Sequence, residues 1–156
     1  MIKNLRSAVL FEKDEVKSGG TASVVNAKLI DPRLIEKHRI SDVAVKLVKG
    51  ENEKAVNESF KYEVAIMSAL PESPYLVRFI GYCTKPLAIV MKKYAMSLQD
   101  CFQSNEFFLD ESKKLKAAKE IAMGMQIVHS KNIIHFDLKP GKMTALYYQN
   151  TITILM

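Results

Sequence analysis

The chain has 156 residues, 48% of them hydrophobic and 26% charged, with two cysteines and no tryptophan. This is the composition of a folded globular chain and excludes disorder, collagen and coiled coil. The longest unbroken apolar run, Leu87 to Met91, falls far short of the roughly 20 residues that cross a bilayer. The start MIKNLRSAV lacks the apolar core of a secretory signal, so the expectation is a cytoplasmic protein with no membrane span. The net charge of +6 is spread along the chain and nowhere forms a basic stripe interleaved with aromatics, so no nucleic-acid partner is expected. Cys83 and Cys101 have neither a disulfide framework nor zinc-ligand spacing around them.

In chain order, Val16 to Leu29 is β-rich around a glycine pair, and Ile30 to Asp42 reads as a charged connection containing Pro32. Val43 to Lys49 alternates, with Val43, Val45 and Leu47 on one face and Ala44, Lys46 and Val48 on the other. Asn52 is a candidate cap for a helix reaching Leu70, its apolar positions Val56, Phe60, Val64 and Met67 at helical spacing. Strand-like runs follow at Tyr75 to Tyr82 and Leu87 to Met91, then a short helix at Ser97 to Phe102. Asp110 caps a long helix whose stripe is Leu115, Ala118, Ile121, Ala122, Met125 and Val128. Strands first and helices later make an α+β layout rather than alternating βαβ units.

Four groups of residues invite chemistry. Lys46 shares a strand face with Ala44, where a missing side chain leaves flat space beside a basic terminus, suited to a planar ring with a phosphate tail; a solvated edge lysine reads the same way. Glu63 lies three residues after Phe60 and four before Met67. A carboxylate within a helix's apolar face needs a partner, and Lys46 is the best-placed cation, in a binding site or in a purely structural pair. The small residues of Lys17-Ser18-Gly19-Gly20-Thr21-Ala22-Ser23 suit either a phosphate-holding loop or a plain hairpin turn. His135-Phe136-Asp137-Leu138-Lys139-Pro140 puts a possible proton acceptor and an ammonium in one loop; a polar turn ended by proline is its alternative.

Taken in order, these segments resemble a eukaryotic protein kinase domain of the tyrosine-kinase-like group with a Ser/Thr-type catalytic loop, truncated after that loop. Val43-Ala44-Val45-Lys46 is similar to the V-A-I-K strand, and Glu63 falls where the ion-pairing glutamate of helix C belongs. Tyr75 to Gly81 resembles the following strand, Met91 sits at the gatekeeper position, Lys92 to Ala95 form the hinge, and His135 to Leu138 resemble H-R-D-L. The resemblance implies a kinase-like N-terminal lobe, an antiparallel sheet plus helix C, over residues 1–91. The hinge and the first helices of an incomplete C-terminal lobe would occupy 92–141, with a divergent tail at 142–156.

It further implies that ATP is held by Gly19, Gly20, Val24, Ala44, Lys46, Glu63, Met91 and Lys93. Lys46, steadied by Glu63, would contact the α and β phosphates; Asp137 would orient the acceptor hydroxyl, and Lys139 would steady the transferring phosphate. Met67, Phe79 and His135 would stack in the apolar column of the active arrangement.

The departures are as informative. The glycine loop keeps one of three motif glycines, Gly19, with Gly20 beside it; Phe136 replaces the loop arginine. Lys142 stands where the pattern has an Mg²⁺-binding Asn, and Met143 to Met156 contain no carboxylate. Mg²⁺ is therefore expected to be held weakly if at all, and phosphoryl transfer to protein Ser/Thr hydroxyls to be nearly undetectable. A non-catalytic, pseudokinase-like binding module is the alternative. The tail is either a degenerate hairpin turning at Gln149-Asn150 or unrelated sequence, and its abrupt loss of family character favours the second.

Overall fold

A computed structural model describes residues 7–18, 21–103, 111–146 and 151–154. The chain divides into two compact units, the first built from Met1–Ser68 and Phe79–Lys93, the second from Ala69–Arg78 and Tyr94–Met156.

In the first unit, β1 (Val9–Ser18), β2 (Ala22–Leu29), β3 (Asp42–Val48), β4 (Phe79–Thr84) and β5 (Leu87–Lys92) form one antiparallel sheet in the order β1-β2-β3-β5-β4. Period-two alternation decides its faces. Val25, Val45 and Val90 are in register across β2, β3 and β5, and Ala27 opposes Val43. Val43, Val45 and Val90 are completely buried, each contributing about 1.5–3 kcal/mol by leaving water.

A short helix, α1 (Pro32–His38), adds Leu34 and Ile35 to this core. The segment reads from sequence as a plain connection, and the structure corrects that reading. Asp31 caps the helix by accepting from the Arg33 amide at 2.9 Å, with Pro32 at its first position. An acidic cap followed by proline is a start signal that the surrounding charges obscure.

The second helix, α2 (Glu53–Ala69), starts as the sequence predicts, with Asn52 Oδ1 accepting from the Ala55 amide at 3.1 Å. Phe60 and Met67 are buried and Val56, Glu63 and Val64 half-buried, so its inward face is the expected one. The strand expected at Tyr75 to Tyr82 begins only at Phe79; Tyr75 to Arg78 belong to the other unit.

The second unit contains β6 (Met96–Ser97), α3 (Leu98–Gln103), α4 (Glu111–Ser130), a 3₁₀ turn at Pro140–Lys142, β7 (Met143–Leu146) and β8 (Thr151–Ile154). Its three strands are antiparallel in the order β6-β7-β8. The described residues of the tail thus pair as antiparallel strands; the expected turn residues, Gln149 and Asn150, lie outside the described residues.

β8 is fastened on both sides. The Ile154 amide donates to the Tyr75 carbonyl at 3.0 Å, and the Val77 amide donates to the Ile154 carbonyl at 2.9 Å. Ile154 is fully buried with Val128 of α4 and with Leu76. On α4 the expected positions Ile121, Met125 and Val128 pack inward, but Leu115, at 74% exposure, and Ala118 do not, and Ala117, Glu120 and Gly124 are buried instead, with Gly124 at the closest approach of the strand. The reason is steric. A Cβ at Gly124 would stand 2.8 Å from Ile154 Cδ1 and 2.8 Å from the Tyr75 carbonyl oxygen, so only glycine lets the strand approach. Gly124→Val is expected to destabilise the second unit by about 1–3 kcal/mol, read as a lower urea midpoint, because the carbonyl cannot move aside as a side chain would.

Candidate functional site

Within the first unit, the strand register gathers the residues that the sequence singled out. Val24 opposes Lys46, and Lys46 opposes Ile89 across the next ladder; Ala44 opposes Met91. Directly opposed residues share a face, so Val24, Ala44, Lys46 and Met91 lie on one side of the sheet. α2 meets that side: Phe60 and Tyr82 make an edge-to-face ring contact with centroids 6.1 Å apart, and Lys46 Nζ lies 2.6 Å from Glu63 Oε1. The two side chains are 18% and 23% exposed, a partial shielding that strengthens the pair. Lys93 is exposed just beyond β5; Gly19 and Gly20 lie outside the described residues.

On this side Ala44 contributes almost no side chain, Val24 is half-buried and Met91 is buried. Glu63 holds the Lys46 ammonium in position.

In the second unit, α4 ends where Lys131 and Asn132 close back on the Val128 and His129 carbonyls, Asn132 taking a left-handed φ of 56°. The loop then turns at His135, whose Nδ1 accepts from the Asp137 amide at 3.3 Å. Lys139 Nζ lies 3.0 Å from Asp137 Oδ1, and Lys142 Nζ lies 4.0 Å from Oδ2. The 3₁₀ turn, closed by the Lys142 amide on the Lys139 carbonyl at 2.8 Å, brings the second lysine back to the same carboxylate. Sequence reading marked Lys142 as a departure but did not foresee this contact; proline at the head of the turn was the available signal. Phe136 is 92% exposed.

The hydrogen bond from Lys139, reinforced by the charges of Lys139, Lys142 and His135, holds the Asp137 carboxyl below its ordinary range. A depressed carboxyl contributes stability above the unfolded-state value, about 3.9, and loses it as pH falls through the lower folded value. Lys139→Met is expected to raise the Asp137 titration midpoint toward the ordinary value, followed by the ¹³C shift of its carboxyl.

Tyr94 was read from sequence only as part of a hinge. Its hydroxyl accepts from the Arg78 amide at 3.2 Å, and burial pushes the phenol's pKa up.

The donors around Asp137 do not suit Mg²⁺, which demands hard oxygen ligands in octahedral array. Both carboxylate oxygens face ammonium groups, and among the described residues no three His, Cys, Asp or Glu side chains gather into a metal-binding group.

A five-stranded antiparallel sheet with a lysine–glutamate pair to one helix, followed along the chain by a His-x-Asp-Leu-Lys loop, is the arrangement that the resemblance to a protein kinase domain implies. The protein tyrosine and serine/threonine kinase family matches over residues 10–143, and the chain belongs to that family. It is similar to a Dictyostelium discoideum protein described as a probable serine/threonine-protein kinase, 36% identical over 65% of this chain and 8% of the relative. A dual specificity protein kinase of the same organism is 33% identical over 67% of this chain and 17% of its own length. The mouse tyrosine-protein kinase ZAP-70 is 30% identical over 62% of this chain and 16% of its own. The chain thus spans less than a fifth of these relatives, which include serine/threonine, dual-specificity and tyrosine kinases. Among the described residues no helix is long and apolar enough to cross a membrane.

Proposed function

We propose that this chain is a cytoplasmic, nucleotide-binding protein kinase domain that binds ATP through the Lys46 face and directs phosphoryl transfer to protein Ser/Thr hydroxyls at a strongly reduced rate. The observation that carries the reading is the 2.6 Å Lys46–Glu63 pair on the same sheet side as Val24, Ala44 and Met91. The pair would hold the phosphates, and Ala44, Val24 and Met91 would flank the base, with the Lys93 backbone at its edge. Asp137 would accept the hydroxyl proton, and Lys139, which follows Leu138 as in Ser/Thr-type loops, would neutralise the phosphoryl oxygens.

The rate would be reduced because one metal-holding residue of the pattern is replaced. Loss of one such stabiliser costs about 10²–10³ in rate, and Lys142 stands in place of the asparagine.

Two measurements test this. ATP is expected to raise the melting temperature of the wild-type chain and not of Lys46→Ala. Radiolabelled transfer to a generic protein substrate is expected at least 10²-fold below a complete kinase, with the residual signal abolished in Asp137→Ala. No thermal shift at saturating ATP would leave the pseudokinase-like interaction module as the better reading.

A further inference from the structure

We infer that Lys142 is a tethered stand-in for a divalent cation, so that the Asp137 loop excludes metal and binds anionic groups without one. Three observations converge. The Asp137 carboxylate, the one acidic group of the loop from His135 to Lys142, has an ammonium at each oxygen, 3.0 Å and 4.0 Å away. The second of these comes from a residue that the 3₁₀ turn places by a backbone hydrogen bond, and its side chain is 28% exposed against 57% for Lys139. Its position is therefore set by the fold more than by side-chain chance. Among the described residues no three His, Cys, Asp or Glu side chains gather into a metal-binding group, so no further side chains stand with Asp137 to give a divalent ion the several oxygen ligands it requires.

The charge balance gives the same result. Asp137 contributes one negative charge against the two positive charges of Lys139 and Lys142 that face it. A divalent ion entering the loop would meet like charge at close range and a carboxylate already neutralised. An anionic group meets the reverse. The ammonium supplies charge neutralisation without coordination geometry, a point charge rather than an octahedral template.

The test has a metal arm that does not depend on the proposed function and a nucleotide arm that rests on it. Mn²⁺ binding to the full chain is followed by the electron paramagnetic resonance of the free ion. Wild type is expected to show no Asp137-dependent site tighter than about 1 mM, the weak end of oxygen-ligand sites. Lys142→Glu, which swaps the ammonium for a carboxylate, is expected to bind at least tenfold tighter, and Asp137→Asn in that background to remove the gain. Lys142→Asn is the second variant, expected to shift binding in the same direction by less, with circular dichroism establishing that both remain folded. In the nucleotide arm, the thermal shift with ATP is expected to be the same in excess EDTA as in Mg²⁺. Submillimolar Mn²⁺ binding to wild type that Asp137→Asn abolishes overturns the inference, as does a folded Lys142→Glu chain that binds no better than wild type. An ATP shift that appears only with Mg²⁺ also overturns it. Absence of any ATP shift, with or without metal, counts against the nucleotide reading, and the Mn²⁺ arm still decides the role of Lys142.

Discussion

Ile154→Ala is expected to lower the stability of the second unit by about 2–5 kcal/mol, the range for removing a large aliphatic side chain from a packed site. Ile154 is wholly buried with Val128 and Leu76, and glycine at position 124 keeps it in direct contact with α4. The cavity cannot close easily, because both backbone groups of residue 154 are tied to Tyr75 and Val77. For a unit of this size each kcal/mol moves the melting temperature by several degrees, so a loss on the order of 10 °C or more is expected for the transition that reports on α4. Leu115→Ser serves as the comparison: on the same helix but 74% exposed, it should change stability by no more than about 0.5 kcal/mol. Equal effects from the two substitutions, read by urea titration with circular dichroism, would show that β8 is not seated against the helix.

Removing the Lys46 ammonium is expected to weaken ATP binding by about 10- to 100-fold, the equivalent of a charge-assisted hydrogen bond worth roughly 1.5–3 kcal/mol. Glu63→Gln keeps the shape of the partner and removes its charge. It leaves Lys46 free to choose other rotamers, and a loss of about tenfold is expected from that freedom. The two effects are coupled. With Lys46 already alanine, Glu63→Gln should cost little further affinity, so the double variant falls well short of the sum. Isothermal titration of the four chains measures the coupling. Additive losses would mean that the carboxylate acts on the ligand by another route, and an unaffected Glu63→Gln chain would make the pair structural only.

How much of this was legible in the sequence can be judged residue by residue. The Lys46–Glu63 contact joins residues 17 apart. Each was nonetheless marked by a local rule: period-two alternation set the lysine beside Ala44, and helical spacing set the glutamate on an apolar face where it needed a partner. α1 escaped because its capping signal is two residues long and sits among charges. The inward face of α4 was legible in part: Ile121, Met125 and Val128 pack as expected, whereas Leu115 and Ala118 do not. Hydrophobicity chose Leu115 and Ala118, whereas the packed face passes through Gly124, and a missing side chain carries no hydrophobic signal.

The sequence by itself determined the elements whose period, cap and partner requirement are local: the alternating strands, the Asn52-capped helix and the acid that had to find a base. Only the tertiary structure decided which turn of α4 meets β8, that Tyr75 to Arg78 leave the sheet for the second unit, and that Lys142 folds back onto Asp137. Those outcomes depend on close approach between segments distant in the chain, or on a turn that reverses direction. Steric fit and ångström-scale charge separation settle them, and neither is written in residue spacing.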